Sequence, residues 1–314
     1  MSTAGTFESA GPQTRGLGVR RPRYGEMAVK AVLAACALLS VATTVGIVFA
    51  LLQPTIEFFA DVSIVEFLTS TTWSPLFADP EFGVLPLVSA TFLITGIALA
   101  LSVPVGLLSA IYLSEYARPR VRNLLKPTLE LLAGIPTVVY GFFALTFVTP
   151  LLQDLWPFGQ PPGVFNAASA GLVMGIMIVP TITSLSEDAM AAVPQSLREG
   201  SFALGGTRLT TSLRVVFPAA LSGIVAAVVL GISRAVGETM IVLIAAGGTP
   251  NLSFNPAEAM QTMTAFIASA GIGDQPTGSV GYKTIFAVGT TLFLITFLMN
   301  LFSIRLVRRY RQVY

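Results

Sequence analysis

The chain has 314 residues, of which 54% are hydrophobic and only 11% charged, with a formal net charge of +2 and a mean hydropathy of +0.77. Soluble domains carry about 25% charged residues, so this composition excludes a soluble globular protein and calls for one embedded in a membrane. The absence of histidine and the single cysteine, Cys36, exclude histidine-based acid–base chemistry, zincin-type metal sites, an internal disulfide and a thiolate metal cluster.

Residues 1–25, rich in Gly, Ser, Thr and Arg, are predicted to form a disordered basic tail. Its arginines, Arg15, Arg20, Arg21 and Arg23, either only set the topology or also touch anionic membrane lipid. A six-helix domain is expected over 26–314. Runs of about 20 apolar residues are the mark of a membrane helix, and six occur, near 27–52, 84–113, 124–152, 167–190, 217–246 and 284–305. The first is too long, and begins too late, for a cleaved signal peptide. The third and fourth carry Gly134, Pro136 and Gly141, and Gly171, Gly175 and Pro180. Two readings of these stand, close helix packing or a bend lining a pathway.

The charges between the runs alternate. The tail, the second connection (Arg118, Arg120, Arg122, Lys126), the fourth (Arg198, Arg208, Arg214) and the C-terminal end (Arg305, Arg308, Arg309, Arg311) are basic. The other connections hold Lys283 against Glu57, Asp61, Glu66, Asp79, Glu81, Asp154, Glu258 and Asp274. Cytoplasmic loops collect Lys and Arg, so a multi-pass protein of the cell (plasma or inner) membrane is predicted, both termini cytoplasmic. The basic residues serve topology, and no nucleic acid is expected as a partner.

The fourth connection contains Leu197–Pro218, LREGSFALGGTRLTTSLRVVFP. Its spacing resembles the EAA loop of ABC-importer permeases, EAA-x3-G-x9-I-x-L-P. Glu199 stands at the acidic position, Gly200 and Ser201 where the family has alanines, Gly205 at the glycine, and Val215 and Pro218 at the distal apolar and proline positions. Residues 195–204 are predicted as a short amphipathic helix, followed by a turn at Gly205 and Gly206, with Pro218 at the first turn of the next helix. The resemblance implies that this loop docks on a separate ATPase, Glu199 and Arg198 anchoring it in a groove. The plainer reading is an ordinary polar loop. The chain itself has no phosphate-binding Gly-Lys-Ser/Thr, since Lys30, Lys126 and Lys283 follow Val29, Leu125 and Tyr282. Any ATP and Mg would be bound by the partner ATPase, and this chain is expected to be a transport subunit rather than an enzyme.

The fifth run contains Arg234 and Glu238, four residues apart and so expected on one helix face. An arginine at mid-membrane costs at least about 2.5–3.5 kcal/mol and by default marks function. Two readings stand: a self-neutralised structural pair, or an anion-binding or gating element in which Glu238 holds Arg234 until substrate competes. Guanidinium suits tetrahedral oxyanions because its fork bonds them bidentately. Ser233–Met240 (SRAVGETM) with Ala245–Asn251 (AAGGTPN), and Glu130–Gly141 (ELLAGIPTVVYG), are similar to the PstC family, the permeases of phosphate-specific ABC importers. So is Trp73-Ser74-Pro75 before Phe82-Gly83. The similarity runs from about residue 27 onward.

That resemblance implies an all-α, type I ABC-importer permease fold, with its core at about 84–305 and a coupling loop at about 191–217. It further implies a PstA-like second permease, a PstB-like ATPase dimer and an extracytoplasmic PstS-like phosphate-binding protein, and it matches Arg234 and Glu238 to charged residues needed for transport. Thr137 and Tyr140 either reach inorganic phosphate in the pathway or bond neighbouring backbone. Glu130 either snorkels or pairs with a loop arginine. Loops 53–83 and 247–283 are either a landing surface for the binding protein or mere connectors. The functional expectation is phosphate import by alternating access. The alternatives are a permease for another oxyanion, molybdate or sulfate, and a secondary anion transporter working alone.

Overall fold

The computed structural model describes residues 24–310 apart from 76, 78 and 158, and these residues are helical save for loops and one isolated bridge between Trp73 and Phe82. The tail expected over 1–25 lies outside the described residues except for Tyr24 and Gly25, which open the first helix. Arg311 and the side chains of Arg308 and Arg309 also lie outside them. The chain divides after Ala50 into two compact units. The described part of the first is the opening stretch of α1 (Tyr24–Asp61), apolar and exposed along its length, as suits a helix whose solvent is lipid.

The second unit holds the rest. Its helices are α2 (Ile64–Thr69), α3 (Leu85–Ile111), α4 (Pro119–Ala133), α5 (Thr137–Phe143), α6 (Thr149–Leu155) and α7 (Ala167–Ala191). There follow α8 (Gln195–Ala203), α9 (Arg208–Thr211), α10 (Phe217–Ala219), α11 (Leu221–Val236), α12 (Met240–Ala245), α13 (Met263–Ile272) and α14 (Val280–Tyr310). Single π-helical turns, Tyr112–Tyr116, Ala144–Val148 and Ser212–Val216, extend or join α3, α5 with α6, and α9 with α10.

α3 and α7 form the centre. Small residues let them meet closely: a Cβ on Gly171 would lie 2.8 Å from Ile97, one on Gly175 2.9 Å from the Ala98 carbonyl oxygen, and one on Gly106 2.8 Å from Ile182. Of the two readings for Gly171 and Gly175, packing is the one observed. Pro180 lies inside α7, which continues unbroken through it. Gly175→Ala is therefore expected to destabilise by about 1–3 kcal/mol, because its methyl meets backbone rather than a movable side chain. A lowered melting temperature of the detergent-solubilised protein would show it.

Among the described residues, five helices are long and apolar enough to cross a membrane: Tyr24–Asp61, Leu85–Tyr116, Thr137–Leu155, Ala167–Ala191 and Val280–Arg305. Arg208–Ala219 and Leu221–Val236 meet the same measure only taken together, as a pair bent by 72°, the geometry of a broken span or a re-entrant loop. Two expected runs need correction. The third, read as 124–152, is two bodies. Its first ten residues belong to α4, which buries none of its residues, and Gly134 and Pro136 separate α4 from α5. The fifth, read as 217–246, is interrupted at Ala220 and again at Gly237.

The expected loops at the end opposite α8 are also more than connectors. Phe58, Phe67, Trp73, Phe82 and Phe266 form one aromatic core, with edge-to-face contacts such as Phe58–Phe67 at 5.7 Å and Trp73–Phe266 at 4.9 Å. These contacts weld 53–83 to α13 within 247–283. In the same region Glu258 accepts from Asn251 Nδ2 at 2.7 Å and Asn255 Nδ2 at 2.9 Å. Hydrogen bonds from Asn255, then Ser253 and Asn251, hold its carboxyl below the usual range. A depressed carboxylate stabilises the fold at neutral pH and loses that effect as pH falls through its lowered value. Limited proteolysis within 251–258 is accordingly expected to accelerate only below the ordinary carboxylate range.

Candidate functional site

The polar segment after α7 folds as its spacing predicts as far as the turn at Gly205 and Gly206. α8 spans Gln195–Ala203, one residue short of the expected helix, and its chemistry divides by face. Glu199, Gly200, Phe202 and Leu204 are exposed, Leu204 almost completely at 92%. Gly200 has open space around the position of a Cβ, so only size tolerance, not a close contact, is seen there. Ser201 turns inward, its hydroxyl 2.8 Å from that of Thr211. Gly205 has φ +83°, a left-handed conformation that favours glycine, and a Cβ on Gly206 would fall 2.7 Å from Ser201 Oγ. Val215 is half-buried in the Ser212–Val216 turn, and Pro218, expected in the first turn of a new helix, instead stands in the last turn of the continuous stretch Arg208–Ala219, just before the bend at Ala220.

Arg198 departs from its expected role. Its side chain points into the protein, where Nη1 donates to the Val193 carbonyl at 2.6 Å and Nη2 to the Met190 carbonyl at 2.8 Å. Nη2 also pairs with Glu115 Oε1 at 3.0 Å, and both side chains are largely buried, 12% and 8% exposed. The carbonyls lie at and just beyond the C-terminal end of α7, where helix carbonyls lack intrahelical partners and the dipole favours a cation. Arg198 thus fastens α8 to α7 and to the turn after α3. Of the pair read as the anchor, Glu199 is the one presented outward.

The centre of the bundle holds the second set of candidates, and here the four-residue spacing misled. α11 ends at Val236, Gly237 caps it, and α12 starts at Met240, so Arg234 and Glu238 do not share a continuous helix. Glu238 is buried and its Oε1 accepts from the backbone N–H of Met240 at 3.0 Å and Ile241 at 3.3 Å. A carboxylate over the first amides of a helix is satisfied there by the unpaired donors. Its carbonyl accepts from Thr264 at 2.6 Å, tying the break to α13.

Arg234 turns elsewhere. Nη1 donates to Thr181 Oγ1 of α7 at 2.9 Å, and Nη2 reaches the Ala133 carbonyl at the C-terminal end of α4 at 3.5 Å. Tyr140 Oη donates to the neighbouring Leu132 carbonyl at 2.9 Å. The structure therefore brings Arg234 and Tyr140 to one helix end, and the hydroxyl of Tyr140 bonds backbone as the second reading had it. Thr137 is half-buried at the start of α5. Glu238 sits on the far side of the Gly237 break, engaged with α12. Guanidinium has five N–H donors, so two acceptors leave Arg234 further capacity for an oxyanion.

A third group escaped the sequence reading. Glu187, fully buried in the last turns of α7, is joined by two cations of α4: Lys126 Nζ to Oε2 at 2.7 Å, and Arg122, which meets Oε1 as an ion pair outside hydrogen-bond geometry. Lys126 also bonds Asp188. Burial works to lower the pKa of Lys126, but the hydrogen bonds to Asp188 and Glu187 outweigh it and hold it above its ordinary value. This contribution is therefore complete at neutral pH and fades only as pH rises through that raised value. The sequence marks Arg122 and Lys126 only as topological charges. The adjacent acids in the run SLSEDAM were the available signal. Glu130, read as snorkelling or paired, is exposed.

A profile of the family described as "Binding-protein-dependent transport system inner membrane component" matches residues 102–312. The probable ABC transporter permease protein YqgH of Bacillus subtilis is 39% identical over 279 residues, 88% of this chain and 89% of that relative. The phosphate transport system permease protein PstC of Mesorhizobium japonicum is 33% identical over 252 residues, 74% of this chain and 75% of that one. In fold, a crystal structure of a bacterial alginate ABC transporter, in complex with a pentasaccharide-bound periplasmic protein, superposes with a TM-score of 0.62. It is 16% identical and covers 92% of this chain and 98% of its own. The apolar helices, the fastened helix α8 and these matches converge: the chain belongs to the binding-protein-dependent transport system inner membrane components and is a membrane-spanning permease subunit of an ABC importer.

Proposed function

We propose that the imported substrate is inorganic phosphate. The observation that carries this reading is Arg234, held by a hydroxyl and a helix carbonyl end at the meeting of α4, α7 and α11, in a chain similar to phosphate transport permeases. The guanidinium fork matches a tetrahedral oxyanion, and neutral ligands leave its charge available to one. One arginine does not neutralise a dianion, so a PstA-like second permease supplies further positive charge. With both termini cytoplasmic, α8 faces a PstB-like ATPase dimer that holds ATP and Mg, and its exposed Glu199, Phe202 and Leu204 form the contact. The welded cap at the opposite end then receives the PstS-like binding protein. Thr137, the first residue of α5, contributes a hydroxyl to the pathway, and Tyr140 and Glu238 shape the two helix breaks around Arg234.

The test is uptake of radiolabelled phosphate at micromolar concentration, in cells lacking their own high-affinity system and producing the four components together. ATP-dependent uptake that persists without a proton gradient is the expected result. Uptake driven by the gradient instead would favour a transporter working alone. No phosphate uptake by an assembled complex would overturn the substrate, and molybdate and sulfate would be the next ions to try.

A further inference from the structure

We infer that Glu187 is a positioning residue, acting through α4 to hold Arg234 in place for its anion. The inference rests on the proposed role of Arg234. α4 is an unusual neighbour for a membrane bundle because it buries none of its residues. Leu124 and Leu131 are exposed, and the half-buried positions Arg122, Lys126, Leu129 and Ala133 follow a helical repeat that forms one face. Apolar burial, the usual adhesive, is therefore scarce there. What ties α4 down is chemistry in its first half and at its C-terminal end. Between its first turn and its middle, Arg122 and Lys126 converge on the Glu187 carboxylate, with Asp188 as a second acceptor for Lys126. At its finish, the Leu132 and Ala133 carbonyls accept from Tyr140 and Arg234.

The two attachments share one partner helix. α7 supplies Glu187 for the first, and Thr181, the other ligand of Arg234, for the second. Lys126 and Ala133 are about 10 Å apart along α4, and Glu187 and Thr181 about 9 Å along α7, at 1.5 Å per residue. The matching spans, run in opposite directions, make a frame with Arg234 at one corner. Glu187 is its other corner, and beyond it the Met190 and Val193 carbonyls receive Arg198 from α8. A displacement of α8 thus reaches α7 close to Glu187. Loss of the Glu187 charge leaves two cations with only the exposed Asp188 between them, and lets the carbonyl end of α4 drift from the guanidinium.

The experiment compares Glu187→Gln, which keeps the shape, with Glu187→Asp, which keeps the charge, in the assembled complex reconstituted in nanodiscs. Spin labels at Leu131→Cys on α4 and Leu185→Cys on α7, in a Cys36→Ser background, report the distance between the helices without reference to any substrate. Glu187→Gln is expected to broaden and lengthen that distance, and to raise the KM for phosphate about tenfold with kcat changed much less. Glu187→Asp is expected to stay near wild type in both. An unchanged distance would overturn the inference, as would a changed distance with an unaltered KM, which would make the cluster a mere staple. If the wild-type complex imports no phosphate, the substrate reading fails by itself, and an unchanged distance still overturns the frame.

Discussion

Arg198→Met is expected to lower the stability of the permease by about 3–5 kcal/mol, the cost of breaking a buried ion pair and stranding its partner. Three acceptors lose a charged donor at once, the Glu115 carboxylate and the carbonyls of Met190 and Val193, although Ser114 Oγ still donates to Glu115 and the Val193 N–H to the Met190 carbonyl. Glu115 is left as an uncompensated charge that is only 8% exposed. The contrast is Glu199→Gln, on the outward face of the same helix. It is expected to leave the melting temperature of the solubilised permease within error, and to weaken retention of the ATPase when the complex is purified through this chain. Equal melting temperatures for Arg198→Met and wild type would refute the internal fastening. A large fall for Glu199→Gln would refute the division of α8 into an inward and an outward face.

The second large effect is on transport. On the proposed role, Arg234→Gln is expected to reduce phosphate uptake by at least about a hundredfold, the loss that follows from removing the charge of a charge-assisted, bidentate contact. The neutral amide retains a donor for Thr181 Oγ1, so the helices should still assemble, which expression level and co-purification of the partners will check. Glu238→Gln makes the companion measurement. Because Oε1 of Glu238 accepts from the first amides of α12, an amide oxygen replaces it in kind, and uptake is expected to fall only severalfold. Were the two residues a mutually neutralising pair, the two variants would instead be similarly impaired. Normal uptake by Arg234→Gln would return the arginine to a structural role.

The failure to pair Arg234 with Glu238 has a definite cause. The rule that residues four apart share a face holds only inside one continuous helix, and Gly237 ends α11 between them. The glycine was visible, but apolar membrane runs tolerate glycine often enough that its presence does not announce a break. Gly134 and Pro136 posed the same ambiguity in the third run and ended a helix there too. An apolar run with such residues therefore merges α4 into a span and hides the carbonyl end that receives Arg234 and Tyr140.

Membrane residence, the helical class, the spans at α1, α3, α7 and α14, and the short helix α8 with its glycine turn were all legible in the chain itself. Each is a local property: a long enough apolar run leaves the backbone no alternative to helix in lipid, and a turn at Gly205 needs only its own φ. The assignment of Arg198 inward and Glu199 outward, the separate fates of Arg234 and Glu238, and the seating of α4 on Glu187 were decided by tertiary structure alone. Lys126 and Glu187 stand 61 positions apart, and Arg234 and Ala133 101. Contacts at such separations are made by the way helices stack, so they leave no periodic trace in the order of residues.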